Sequence, residues 1–163
     1  MCAAGHASGR AAAAPVIRRA AAGDAATLTA LALRSKAAWG YDPAFMAACR
    51  AELTITAAGI ARRPTWVLEE RSAILGFYQL RLDGGTAEVA QFFVAPSSMR
   101  GGRGRRLWAH LEDRARAAGC TLIEVDADPH AEGFYLAMGM KRCGEAPSGS
   151  IPGRLLPRLR KAV

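Results

Sequence analysis

Glu88-Val89-Ala90-Gln91-Phe92-Phe93-Val94-Ala95-Pro96-Ser97-Ser98-Met99-Arg100-Gly101-Gly102-Arg103-Gly104-Arg105-Arg106-Leu107-Trp108 is the stretch around which the rest of the chain organises. It starts as a strand, is stopped by Pro96, runs through a glycine-rich loop and continues as a helix with Leu107, Trp108, Leu111 and Ala115 on one face. Glycines allow backbone to approach a phosphate without Cβ interference, and the unpaired amides of a helix start point at it. Arg100, Arg103, Arg105 and Arg106 add positive potential at the same place. No Lys-Ser/Thr pair follows the glycines, which excludes a P-loop, and no early βαβ unit carries a dinucleotide fingerprint.

Upstream of this stretch, Trp66-Val67-Leu68 and Ile74 to Leu82 read as strands, and Asp83-Gly84-Gly85 as a hairpin turn into the strand Thr86 to Val94. An antiparallel meander results. Earlier still, Val16-Ile17-Arg18 is a short strand. Asp24 is placed to cap a helix carrying Leu28, Leu31 and Ala32, and Asp42-Pro43 to start a second helix through Phe45, Met46 and Cys49. Downstream, Glu112 and Arg116 form an i,i+4 pair and Gly119 closes the long helix. Leu122 to Val125 is a strand, Pro129 to Met138 a short helix ended by Gly139, and Met140 to Gly144 the start of another strand. A Pro/Ser/Gly loop over Glu145 to Gly153 leads to a last strand near Leu155 to Val163. The pattern is α+β with a mixed sheet, a single domain over 15–163.

At 163 residues, 51% apolar and 22% charged, the chain suits one soluble domain with its own core. Residues 1–14, rich in Ala, Gly and Ser, lack the basic start and leucine-rich centre of a signal peptide and read as a disordered tail. Cys2, Cys49, Cys120 and Cys143 are scattered without a C-x-x-C pair, as expected of buried, reduced thiols in a cytoplasmic protein. No apolar run approaches the ~20 residues of a membrane span. The net charge of +8 asks for an anionic partner. Nucleic acid is not expected to be that partner, because no helix presents polar base-reading residues.

Met99-Arg100-Gly101-Gly102-Arg103-Gly104 is similar to the acyl-CoA motif of the GNAT (Gcn5-related) N-acetyltransferases, Arg/Gln-x-x-Gly-x-Gly/Ala, with glycines matching at Gly102 and Gly104 and Met99 at the leading position. Asp128-Pro129-His130-Ala131-Glu132-Gly133-Phe134-Tyr135-Leu136-Ala137-Met138-Gly139-Met140 resembles the same family's Asn-x-x-Ala-x-x-Phe-Tyr-x-x-x-Gly-Phe segment, with Asp128 at the Asn position. The order of elements agrees from Val16 onward. The resemblance implies a three-layer α/β/α sandwich whose mixed, mostly antiparallel sheet splays at its centre, and acetyl-CoA as co-substrate, with no metal.

It further implies that the strands Glu88–Val94 and Leu122–Asp126 part to grip the pantetheine, with an amide near Phe93 or Val94 polarising the thioester. Asp128 and Phe134 join Met99 to Arg105 around the cofactor. Tyr135 stands at the thiol end as the acid, since a phenol stays protonated at neutral pH and suits a thiol of pKa about 8.5. The family's usual carboxylate position on the strand falls on Ala90, so Glu88, expected on the same face, is the candidate base. Trp39, Tyr41, Asp126, Ser150 and Arg154 are the expected acceptor contacts, from the first helices and the last loop. Asp126, Asp128 and His130 together are a weak metal pattern, and His110 reads as structural. The reaction implied is acetyl transfer to a primary amine of a small molecule; a non-catalytic acyl-CoA-binding module is the first alternative, a basic nucleic-acid-binding protein the less favoured one, and a homodimer is compatible with the family.

Overall fold

A computed structural model describes residues 14–163; the tail expected over 1–14, apart from Ala14, and Cys2 lie outside them. Seven strands form one sheet in the order β1-β2-β3-β4-β5-β7-β6: β1 Val16–Arg19, β2 Thr65–Glu70, β3 Ala73–Asp83, β4 Thr86–Val94, β5 Leu122–Asp126, β6 Lys141–Pro147 and β7 Leu155–Ala162. Every neighbouring pair is antiparallel except β4 with β5. The helices are α1 Ala25–Ala37, α2 Pro43–Leu53, α3 Ala57–Arg62, α4 Arg103–Ala117 and α5 Glu132–Ala137.

Period-two alternation assigns each strand's side chains to two separate cores. Leu68 and Tyr78 join Leu107, Trp108, Leu111 and Tyr135 beneath α4 and α5. Their chain neighbours Val67 and Phe77 join Leu28, Leu31, Leu53 and Ile60 beneath α1, α2 and α3. The result is the α/β/α layering expected. Tyr78 is fully buried and its hydroxyl meets His110 Nδ1 at 2.8 Å. Burial, with Arg114 nearby, lowers the His110 pKa and favours a neutral ring in this bond, a structural role.

Asp42 caps α2 as expected, accepting from the Phe45 amide at 2.8 Å, with Pro43 in the first turn. Asp42→Ala is expected to lower stability by about 1 kcal/mol in urea titration. Asp24 departs from its expected role. Its carboxylate accepts from the Ala21 amide and is ion-paired with Arg18 at 2.8 Å, so it ties β1 to the turn before α1 without capping α1 itself. The remaining differences are α3, whose Ala-rich sequence carries no clear period, the longer β6, and Cys143, which is exposed on β6 whereas Cys49 and Cys120 are buried.

Candidate active site

The site begins where the sheet's one parallel pairing fails. β4 and β5 are in register only at Thr86↔Leu122, Ala87↔Ile123 and Glu88↔Glu124, while β5 continues against β7 to Asp126↔Arg158. The cause lies in β4. Its register with β3 jumps from Gln79↔Gln91 to Leu80↔Val89, leaving Ala90 as an extra residue. Such a bulge bends the strand and increases its twist. β4 therefore leaves β5 and opens a cleft of about 300 Å³, lined by both strands, by the ends of α1 and α2, and by Phe134 and Tyr135 of α5.

Hydrogen-bond alternation decides which β4 amides face that cleft. The Ala95 amide bonds Leu75 O at 2.8 Å on the β3 side. Phe93 and Gln91 therefore also point to β3, and the amides of Phe92 and Val94 point into the wedge. Between the two expected positions, Val94 is the one that presents its amide; Phe93 instead packs its ring toward Phe77, 5.9 Å away. Phe92 joins Val94, which no sequence signal short of the bulge would have revealed.

The loop between β4 and α4 ends in Gly102, whose φ of +70° suits glycine, and α4 starts at Arg103. The first amides of α4, those of Arg103, Gly104 and Arg105, have no partner within the helix. Gly104 lies in the cleft wall, where a Cβ would stand 3.2 Å from Phe134 Cε2 and 3.7 Å from Val94 Cγ2. Arg103 reaches Glu70 at 3.1 Å through Nη2, and its buried Nε has no partner among the described residues. Met99 lines the cleft, while Arg100, Gly101 and Arg105 are exposed beside it.

Tyr135 is buried, packed against Phe92, Trp108 and Phe134 with ring centroids 6.2, 5.7 and 5.3 Å away. Burial, with the charge of Asp128, raises its pKa above the ordinary phenol range. Glu88, by contrast, is not brought to the cleft. It is ion-paired with Arg81 of β3 and lines a shallow depression with Arg62, Arg63 and Leu82. The bulge at Ala90 separates it from the wedge-lining half of β4.

Asp128, also in the lining of the cleft, is the centre of a polar cluster. It accepts from Lys36 Nζ at 2.6 Å, from the Tyr41 hydroxyl at 2.9 Å and from the His130 amide at 2.9 Å, with Arg154 Nη2 at 3.4 Å. Burial would raise its pKa, but Lys36, the His130 amide and Tyr41 together hold the carboxyl below the usual range. Trp39 stacks on His130, centroids 5.2 Å apart and planes within 6°. Asp126 lines the cleft but is gripped by Arg158 at 2.7 and 2.9 Å. With both carboxylates so occupied, the Asp126-Asp128-His130 pattern is a structural one.

Glu52, Lys36 and His130 also line the cleft, and sequence reasoning had assigned none of them to it. Ser150 hydrogen-bonds Glu52, which makes no ion pair among the described residues. One signal for Lys36 was present: it lies three residues before Trp39, on the same side of the end of α1.

The backbone is similar to that of the PaiA N-acetyltransferase from Thermoplasma acidophilum in complex with coenzyme A, at TM-score 0.76 and 18% identity over 93% of this chain and 100% of that one. It is similar as well to the ribosomal-protein-S18-alanine N-acetyltransferase of Escherichia coli, at TM-score 0.68 and 16% identity over 91% and 94%. A third likeness is to N-acetylglutamate synthase from Neisseria gonorrhoeae complexed with coenzyme A and N-acetyl-glutamate, at TM-score 0.66 and 22% identity, over 92% of this chain and 35% of that one. Residues 30–140, which run from α1 through the β4–α4 loop to the Phe134-Tyr135 segment, match the family model of the Acetyltransferase (GNAT) family, and the chain belongs to that family.

Proposed function

We propose that the protein moves an acetyl group from acetyl-CoA directly to a primary amine of a small molecule. The observation that carries this reading is the wedge itself: free strand amides along one wall and a buried, protonated phenol in its lining. The residues fit the cofactor on several counts. Gly104 leaves a gap that a Cβ would fill, α4 presents amides of Arg103, Gly104 and Arg105 at its start, and the buried Arg103 Nε lacks a partner among the described residues. Arg100 and Arg105 add charge for a pyrophosphate, and Val94 and Phe134 wall the path beyond it.

Acetyl-CoA, when bound, supplies an activated acetyl thioester. The Phe92 and Val94 amides open into the cleft that Tyr135 also lines, where either would stabilise an oxygen gaining negative charge. Tyr135 holds the proton that a departing thiolate needs. Glu52, unpaired by any cation among the described residues, is the carboxylate placed to receive a cationic amine and its proton, the role first expected of Glu88.

Release of free thiol from acetyl-CoA in the presence of amines tests the reading, and binding of acetyl-CoA without release would mark a binding module instead. Gly104→Ala is expected to raise the Kd for CoA by on the order of tenfold, measured by calorimetry. The melting temperature should change little, since the helix gains about 1 kcal/mol from Ala over Gly while Phe134 must yield a few tenths of an ångström.

A further inference from the structure

The cluster around Asp128 holds more positive charge than it neutralises. Lys36 and Arg154 share that one carboxylate, at 2.6 and 3.4 Å from the same oxygen. Arg154 uses only Nη2 for its protein partners, Tyr41 at 2.6 Å and Asp128; Nε and Nη1 have none among the described residues and are not sealed from solvent. The guanidinium is nonetheless fixed, lying over the rings of Tyr41 and Phe45 at 5.3 and 4.9 Å. A guanidinium held in place by rings, with one edge free, is suited to bidentate capture of a planar anion. Lys36 and the flat Trp39–His130 pair line the cleft next to it, and the same cleft is lined by Glu52, a carboxylate with no ion pair among the described residues.

We propose that the acceptor is an amine that also carries a carboxylate, of the amino-acid type, its acid held by Arg154 and Lys36 while its amine faces Glu52. This rests on the acetyl-transfer reading above and names the substrate class of that site. The Trp39–His130 surface offers an apolar or aromatic side chain a face to lie on.

The test pairs acid-bearing amines with partners that lack the acid. The common α-amino acids, their α-amides, phenethylamine and tryptamine are offered with saturating acetyl-CoA, and kcat/KM is read from thiol release. The best acid-bearing amine is expected to exceed its own amide by on the order of tenfold to a hundredfold, and Arg154→Gln to collapse that ratio through KM. Arg154→Lys should restore part of the preference, and Lys36→Met provides a second variant should the first fold poorly. Independently of turnover, phenylacetate should bind the CoA-loaded protein by NMR titration and phenylacetamide should not. Amides or decarboxylated amines used equally well, or a ratio untouched by Arg154→Gln, would overturn the assignment. Loss of acetyl-CoA binding would instead bring down the acetyl-transfer reading, whereas bound acetyl-CoA with every amino acid refused sinks the acid-bearing class alone.

Discussion

Tyr135→Phe is expected to lower kcat by roughly 10²–10⁴-fold, the usual contribution of a positioned general acid, with the Kd for acetyl-CoA nearly unchanged. The substitution removes one oxygen and leaves the ring packed against Phe92, Trp108 and Phe134. No described residue hydrogen-bonds that hydroxyl, so the fold loses no partner and the melting temperature should hold. That separation makes the measurement decisive: a loss of kcat with an unchanged melt reads chemistry, and an unchanged kcat would remove Tyr135 from the reaction. The pH profile adds a second check. Burial holds the phenol above its ordinary value of about 10, so the active, protonated form persists at that pH in the folded protein. In single-turnover measurements the Tyr135-dependent rate should therefore show no fall as pH rises from about 7 to 10. The stability contribution has the same sign, since a phenol that holds its proton more tightly when folded weakens the fold only as pH rises past about 10.

Much of this arrangement was readable from residues close together in the chain. The hairpin at Gly84-Gly85, the Asp42-Pro43 helix start, the turn at Gly102 and the Phe134-Tyr135 pair are local signals, and each stands where its chemistry puts it. What escaped has long-range causes. The bulge at Ala90 exists only relative to β3, and it decides both which β4 amides face the cleft and that Glu88 does not. Glu52 comes to the site from the end of α2, where Gln91 Nε2 of β4 donates to its carbonyl at 2.9 Å, a contact across 39 positions. Lys36 and Asp128 are 92 positions apart. α3 was missed for a different reason: Ile60 is its one buried residue and its start depends on the Thr56 side chain accepting from the Gly59 amide. The charge pairing of Asp128 was not legible, because only tertiary structure brings Lys36, Tyr41 and Arg154 to it.

That charge underlies the second large effect. Asp128→Ala is expected to cost about 3 kcal/mol, or roughly 6–12 °C in melting temperature, because removing one member of a buried ion pair leaves the others uncompensated. The side chains of Asp128, Lys36 and Arg154 are 11, 13 and 18% exposed, so water can screen the stranded cations only in part. Asp128→Asn separates the two contributions of the residue. Asn can still accept from the His130 amide and the Tyr41 hydroxyl, so it should recover part of the loss while leaving the charge uncompensated. Adding Lys36→Met to Asp128→Asn should then be less damaging than the sum of the two single changes, because the second substitution removes a cation that the first had stranded. Strict additivity would mean that the two charges do not interact. The pH dependence follows from the lowered pKa: Asp128 stabilises the fold fully above about pH 4, its unfolded value, and that stability drains away as pH falls through the lower folded value. Wild type and Asp128→Asn should therefore converge in stability in acid and diverge toward neutrality, and urea midpoints measured from about pH 2 to 7 would reveal it.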